Sequence, residues 1–390
     1  MEIIVALLLL LGLSILLGEL AERFRIPGIV GNIIAGILLG PMLLNVIHPT
    51  TVLDGISTVS LFFIILLIGI EVTTELLTNH LKSATKLALS SFVIPVVAMI
   101  AGTVLFFNVP LTQSIVLSVA LAVPSISIIS VLILRYKLNK YDDGISILAG
   151  VVVADVLAFV VLALVNHSHI ISLTLLGILL FFGLLLLIDK EVRKHSSRIR
   201  KFFNSASATE HSEDLIFAAV IILGLIVASI LQFIGITYVL GAFFAGMLIH
   251  KSVTGKRLYG QMRRTFRRLN NSFFIPVFFS IAGLSVQLPK FHYFVLLLYL
   301  LLISAVVGGI LDYFVAKRMM KIVKPRTTSA LLGSRGAVGV VIAAIALSEG
   351  IINTDFYSLI IFGTMVLSLI MPALMDLKGI QGRHLVALPE

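Results

Sequence analysis

The chain has 390 residues, of which 59% are hydrophobic and 12% are charged. Apolar stretches of about 20 residues recur along its whole length, which predicts a polytopic membrane protein and leaves no room for a soluble domain of ordinary size. Cysteine is absent, which excludes disulfides and thiolate metal sites.

Hydropathy predicts thirteen transmembrane helices. Their approximate ranges are 3–20, 27–44, 57–76, 87–107, 111–134, 144–165, 170–188, 214–232, 235–250, 271–287, 291–316, 327–349 and 355–375. Alternate loops then hold 27 of the 29 Lys and Arg residues. The positive-inside rule therefore predicts a multi-pass protein of the cell membrane with its N-terminus outside and its C-terminus in the cytoplasm. The net charge of +10 thus marks orientation and contacts with membrane lipid, and we expect no nucleic-acid partner.

Two halves of the chain resemble each other. Gly31, Ala35 and Gly36 recur as Gly241, Ala245 and Gly246 at an offset of 210, and Gly69 recurs as Gly283 at an offset of 214. We therefore expect one transmembrane domain, 1–390, with repeats at 1–166 and 214–376, a linker helix and cytoplasmic loop at 167–213, and a cytoplasmic tail at 377–390. Related spans are seven positions apart in the order of the helices, an odd offset, so the six-helix repeats are inverted, as is typical of secondary transporters. The alternative is chance similarity between membrane helices rich in glycine and alanine.

Each repeat contains an interruption of a predicted span. Pro124 lies at the centre of the fifth span, where it removes a backbone hydrogen bond. An offset of 210 leads from Pro124 to Ser334, within the stretch Gly333-Ser334-Arg335-Gly336. Paired broken helices indicate a binding site, because unwound carbonyls coordinate cations at the membrane midplane. The alternatives are an ordinary proline kink and close helix packing at the glycines.

One carboxylate lies in the middle of the sixth span. Asp155 is surrounded at helical spacing by apolar residues, so no local partner neutralises it. Carboxylates at this depth are costly and mark ion or proton pathways. The alternative is an aspartate that holds a neighbouring helix by a hydrogen bond or salt bridge.

These motifs together resemble the monovalent cation:proton antiporter-2 family, which contains sodium/proton exchangers and Kef-type potassium/proton systems. The similar segments are Pro27-Gly28-Ile29-Val30-Gly31 with Ala35-Gly36-Ile37-Leu38-Leu39-Gly40-Pro41, Leu61-Phe62 through Gly69-Ile70-Glu71, and Pro276-Val277-Phe278-Phe279 with Gly283-Leu284-Ser285-Val286. The resemblance implies a homodimer in which each subunit has a scaffold and a six-helix core. In the core, two broken helices cross beside the essential aspartate.

The chain departs from this family's pattern at three places. Ala154 replaces the first of two adjacent aspartates, the span-10 helix has no lysine between Phe273 and Leu288, and Ala337 replaces a glutamate that follows Arg335-Gly336 in many members. These changes all remove charge, so the resemblance favours electroneutral exchange. The choice between sodium, lithium and potassium stays open.

The sequence thus predicts a sodium or potassium:proton antiporter in which the cation and the proton compete for Asp155. Ser125 and Ser127 are candidate oxygen ligands or ordinary helix–helix hydrogen bonds. Glu71 is a candidate second ligand, a partner of Arg335, or an interfacial residue, and Arg335 is expected to act electrostatically. Asp312 is expected at the interface. No Walker motif is present, so we expect no nucleotide, no cofactor and no enzymatic activity. The alternatives are a cation channel and a membrane ion sensor without transport.

Overall fold

The computed structural model describes residues 2–24, 26–71, 74–126, 129, 133, 138, 141–166, 212–233, 238–249, 255–291, 293–321 and 323–374. All regular secondary structure within these ranges is helical. The helices are α1 Ile3–Arg23, α2 Gly28–Leu39, α3 Thr51–Glu71, α4 Thr74–Ala88, α5 Ile94–Phe107, α6 Leu111–Ala122, α7 Asp142–Asn166, α8 Ser212–Phe233, α9 Tyr238–Met247, α10 Lys256–Leu269, α11 Ile275–Leu284, α12 Tyr293–Leu302, α13 Gly309–Met319, α14 Pro325–Gly333, α15 Ala337–Ser348 and α16 Thr354–Ala373.

The predicted all-helical membrane fold is confirmed. Every predicted span except 170–188 contains helix, and that one lies outside the described residues. Seven helical stretches of the described chain are long and apolar enough to cross a membrane. Four shorter apolar helices, Gly28–Leu39, Leu111–Ala122, Phe217–Phe233 and Tyr238–Met247, accompany them. The total of thirteen spans stays a prediction.

Glycine contacts display the inverted repeat directly. Gly36 of α2 packs so closely on α11 that an added Cβ would overlap the Ser280 carbonyl oxygen beside Gly283. Gly69 of α3 packs in the same way on α9 beside Gly246. The repeat relates Gly36 to Gly246 and Gly69 to Gly283, so the two contacts are equivalent positions with the halves exchanged. Such exchange of partners is what an inverted repeat predicts, and small residues allow this close approach.

The helices form two groups. In one group α1, α2, α3, α8, α9 and α11 pack on one another, and α10 lies against α3 and α8. In the other, α4 to α7 pack with α12 to α16. The groups meet where α7 touches α9, with the rings of Phe159 and Phe243 6.3 Å apart. Tyr357 of α16 also donates a 2.7 Å hydrogen bond to the carbonyl of Ala282 on α11. These groups match the scaffold and the core that the resemblance implies.

Within the described ranges, three short π-helical segments interrupt otherwise continuous helices. Leu89–Val93 joins α4 to α5, Asn270–Phe274 joins α10 to α11, and Ile303–Gly308 joins α12 to α13. The first two directly precede helices whose first turn contains a proline, Pro95 or Pro276. A proline ring clashes with a carbonyl of the preceding turn, and the wider π-turn relieves this clash. The first and third segments are related by the repeat, since Leu89 and Ile303 are 214 residues apart, as Gly69 and Gly283 are.

Candidate cation site

Two helices are broken at equivalent places, as the sequence predicts. Helix α6 ends at Ala122, and α14 ends at Gly333. The first residues beyond them have nearly identical backbones, with φ −66° and ψ 124° at Val123 and φ −69° and ψ 126° at Ser334. After Ser334, helix resumes at Ala337 in α15. The two interruptions therefore have the same local structure, although proline follows the break in one and glycines flank it in the other.

The two breaks cross in direct contact. The backbone N–H of Ser125 donates a 2.8 Å hydrogen bond to the carbonyl of Ser334. A Cβ added at Gly336 would overlap the hydroxyl of Ser125, and one added at Gly339 would overlap the carbonyl oxygen of Ala120. Glycine at both positions is therefore required for the close approach. The crossing brings unwound backbone from both repeats to one point.

Asp155 lies on the helix that packs against this crossing. Helix α7 contacts α6, α14 and α15, which are arms of both broken helices. The Asp155 side chain is fully buried, and neither of its oxygens has a hydrogen-bond partner among the described residues. Ala154 beside it is also buried and adds no second carboxylate. A buried carboxylate without a partner must be neutralised, and a bound proton or cation achieves this.

Arg335 is buried next to the crossing and is held by neutral groups. Its Nε and Nη2 atoms donate to the Ser304 hydroxyl at 3.2 and 3.0 Å, and its Nη1 donates to the Leu332 carbonyl at 3.0 Å. Ser304 in turn donates to the carbonyl of Leu121, in the last turn of α6. Arg335 thereby links the two breaks through Ser304. The guanidinium therefore lies at the end of α14, and the electrostatic and structural role of Arg335 stays a prediction.

Glu71 is paired with arginines of α10 and not with Arg335. Its carboxylate accepts hydrogen bonds from Arg263, at 3.2 Å, and from Arg267, both on α10. Tyr259 of the same helix donates to the carbonyl of Ile70 at 2.6 Å. Glu71 therefore fastens the end of α3 to the basic helix α10, and the interpretation that it pairs with Arg335 is wrong. None of these contacts involves a residue of the crossing.

Two further residues complete the comparison with the sequence. Ser127 lies outside the described residues, whereas Ser125 is buried at the crossing itself. Asp312 was expected at the interface but is 1% exposed, and it accepts a 2.7 Å hydrogen bond from Ser90. A signal for this burial exists in the sequence, because Ser304, Gly308 and Asp312 recur every four residues and so lie along one face of a helix.

An inverted repeat with two crossed broken helices, packed against a helix that has a buried carboxylate, defines the chain as a secondary transporter in architecture. A family model described as "Sodium/hydrogen exchanger, transmembrane" matches residues 6–376. The chain therefore belongs to the sodium/hydrogen exchanger family and is an integral membrane protein.

Several characterised proteins resemble it over nearly their full lengths. The Na(+)/H(+) antiporter of Enterococcus hirae is 26% identical over 389 residues, which cover 96% of this chain and 97% of that protein. The Na(+)/H(+)-K(+) antiporter GerN of Bacillus cereus is 25% identical and covers 92% of each chain. The structure of the sodium proton antiporter MjNhaP1 from Methanocaldococcus jannaschii superimposes with a TM-score of 0.72 over 95% of both chains at 18% identity, a likeness of fold.

Proposed function

We propose that this protein exchanges a monovalent cation, sodium or potassium, for a proton across the membrane. The observation that carries the proposal is Asp155, fully buried without a hydrogen-bond partner among the described residues and carried on the helix that packs against the crossing. Its carboxylate binds either a cation or a proton, and this competition couples the two fluxes. The relatives named as sodium/proton and sodium/proton–potassium antiporters support the same activity.

The proposed ligands are oxygen atoms, which hard cations prefer. Asp155 supplies the charge, and the Ser125 hydroxyl lies at the crossing itself. The unwound backbone at 123–125 supplies carbonyl oxygens, and Ser127 stays a candidate on sequence grounds. We leave Glu71 out of this ligand set because its carboxylate is paired with Arg263 and Arg267.

We further propose that exchange is electroneutral. One carboxylate carries one unit of charge, so one monovalent cation leaves as one proton arrives. Ala154 occupies the place of a second aspartate, and α11 contains no lysine that could balance one. The charge at the proposed site is therefore the same before and after the exchange of a cation for a proton.

We propose that the two groups of helices provide alternating access. Asp155 and both broken helices belong to the core, so a movement of the core against the scaffold carries the whole site from one face to the other. We propose that the chain works as a homodimer in the cell membrane, with its N-terminus outside and its C-terminus in the cytoplasm. The basic residues of α10 would then face the cytoplasm and the anionic inner leaflet.

Reconstitution into proteoliposomes tests the proposal. Sodium, lithium or potassium is added outside vesicles that hold an acid interior, and a fluorescent dye reports the internal pH. Exchange raises the internal pH only when a transported cation is added, and a pH series identifies the cation and the working range. Cation current without proton movement would instead indicate a channel, and cation binding without flux would indicate a sensor.

A further inference from the structure

Asp312 is a second buried carboxylate, and it belongs to a row of helix residues that contacts Arg335. Asp312 and Arg335 are each only 1% exposed. Ser90 holds one oxygen of Asp312, and Ser304 holds the guanidinium of Arg335. Ser90 and Ser304 are equivalent in the repeat, at an offset of 214, and each lies in a π-helical segment. The two serines thus bring one negative and one positive side chain into the same buried region.

One row of residues on the helix that contains Asp312 lies toward Arg335. Ser304, Gly308 and Asp312 follow one another at intervals of four residues, along the π-segment Ile303–Gly308 and helix α13. Ser304 binds the guanidinium, and a Cβ added at Gly308 would lie 3.9 Å from Nη2 of Arg335. Asp312 is the next residue of this row, so it lies on the helix face that contacts Arg335. Gly308, between Ser304 and Asp312 in this row, thus lies within van der Waals distance of the guanidinium.

Arg335 needs such a countercharge for two reasons. A guanidinium keeps its proton in proteins, and a buried charge without compensation is costly. In addition, Arg335 belongs to the interrupted segment that meets Ser125, so its positive charge lies close to the place where a cation would bind. A positive charge repels a cation there unless a negative group offsets it.

We propose that Asp312 is a positioning residue that neutralises Arg335 and thereby maintains the affinity of the crossing for its cation. The inference rests on the proposed function and deepens it. Asp312 is not a ligand in this proposal; it acts through Arg335. Arg335 remains available to link the two breaks through Ser304, while the net charge that the cation encounters is set by Asp155.

The experiment measures the apparent KM and the maximal rate of cation-driven proton movement in proteoliposomes. Asp312→Asn keeps the shape and can still accept the hydrogen bond from Ser90, so it removes only the charge. Asp312→Glu keeps the charge, and the double variant Asp312→Asn with Arg335→Gln removes both charges. Asp355→Asn is the matched control, since it removes a carboxylate that lies 3.8 Å from Lys290, away from the crossing. The assay is run at about pH 8.5, above the ordinary range of a carboxylate.

We expect Asp312→Asn to raise the apparent KM on the order of tenfold, because an uncompensated charge then acts through the protein interior. The maximal rate should change much less. Asp312→Glu and Asp355→Asn should stay near the parent, and the double variant should return the KM toward the parent value. This rescue separates a charge effect from a merely structural one.

Two results would overturn the inference. One is a folded Asp312→Asn protein with an unchanged KM, and the other is an equal loss in Asp312→Glu, which would point to shape. If Asp312→Asn does not fold, the double variant decides: folding with a parental KM supports the pairing, and failure to fold contradicts it. Absence of cation-driven proton movement in the parent protein would contradict the proposed function itself, so the two failures are distinct.

Discussion

The N–H of Ser125 and the carbonyl of Ser334 are joined by a 2.8 Å hydrogen bond. These residues come from opposite halves of the chain, and each follows the end of a helix that stops in the interior. The bond uses one backbone donor and one acceptor that the broken helices leave without helical partners, which reduces the cost of the interruption. Together with the link from Arg335 through Ser304 to Leu121, it fixes the distance between the breaks.

Asp155→Asn should abolish exchange while the protein still folds. Asparagine has the same shape but cannot carry the charge that binds a cation or a proton. Proteoliposome transport measures the loss, and thermal unfolding in detergent checks the fold. The matched control is Asp54→Asn in the exposed first turn of α3, which should transport like the parent. Full activity of Asp155→Asn would exclude Asp155 as the shared binding group for cation and proton.

Arg335→Ala should lower stability more than it lowers cation affinity. The change deletes a buried guanidinium, leaves Asp312 without a countercharge, and removes the link through Ser304 to Leu121. Removal of one partner from a buried charged pair typically costs about 3–5 kcal/mol. Thermal unfolding should show this loss, whereas Arg264→Ala on the exposed face of α10 should leave stability nearly unchanged. Unaltered stability together with collapsed affinity would instead place Arg335 in the ligand set.

Transport should not respond to membrane voltage. With the proton gradient clamped separately, an imposed potential should leave the end point of exchange unchanged, because one cation is exchanged for one proton. Glu71→Gln should not alter the charge moved per cycle, since Glu71 is paired with Arg263 and Arg267. If voltage shifts the end point in the parent and Glu71→Gln abolishes that shift, Glu71 carries a second proton.

Gly36→Ala should destabilise the protein, because the new methyl group would overlap the carbonyl of Ser280. Overpacking of this kind costs about 1–3 kcal/mol. Gly12→Ala in α1 is the control, since nothing lies within 4 Å of its added Cβ and alanine favours a helix. The midpoint of thermal unfolding should fall in Gly36→Ala and rise in Gly12→Ala. Equal stability of both would contradict the close contact between α2 and α11.

The sequence predicts the features that depend on local pattern. The repeat follows from glycine spacing, and the two breaks follow from Pro124 and from Gly333 with Gly336. For Asp312 the local signals disagree, because its spacing from Ser304 and Gly308 indicates a packed face whereas Lys317 and Arg318 suggest an interface. The neighbours that bury it are distant in the chain. Spacing along a helix indicates which residues share a face, but it does not identify the elements that pack on that face.

Glu71 illustrates the same limit at a basic segment. Residues 251–268 read as a charged loop, yet from Lys256 onward they form the helix α10. Tyr259, Met262 and Phe266 are buried on one face of α10, and their spacing of three and four residues was an available signal for packing. The high charge of residues 251–268 therefore concealed the helix that pairs with Glu71, although the spacing of its apolar residues indicated that helix.

The π-helical segments carry a record of descent. Leu89–Val93 and Ile303–Gly308 occupy equivalent positions in the two halves, whereas α3 is continuous where the equivalent of Asn270–Phe274 would lie. A single insertion in an ancestral half-length gene, followed by duplication and fusion, explains the first pair with one event instead of two. In this account, which we infer from the repeat alone, Asn270–Phe274 was gained, or its counterpart in α3 was lost, after the fusion. Relatives in which only one half carries the paired segment, at an early branch of the family, would contradict this order of events.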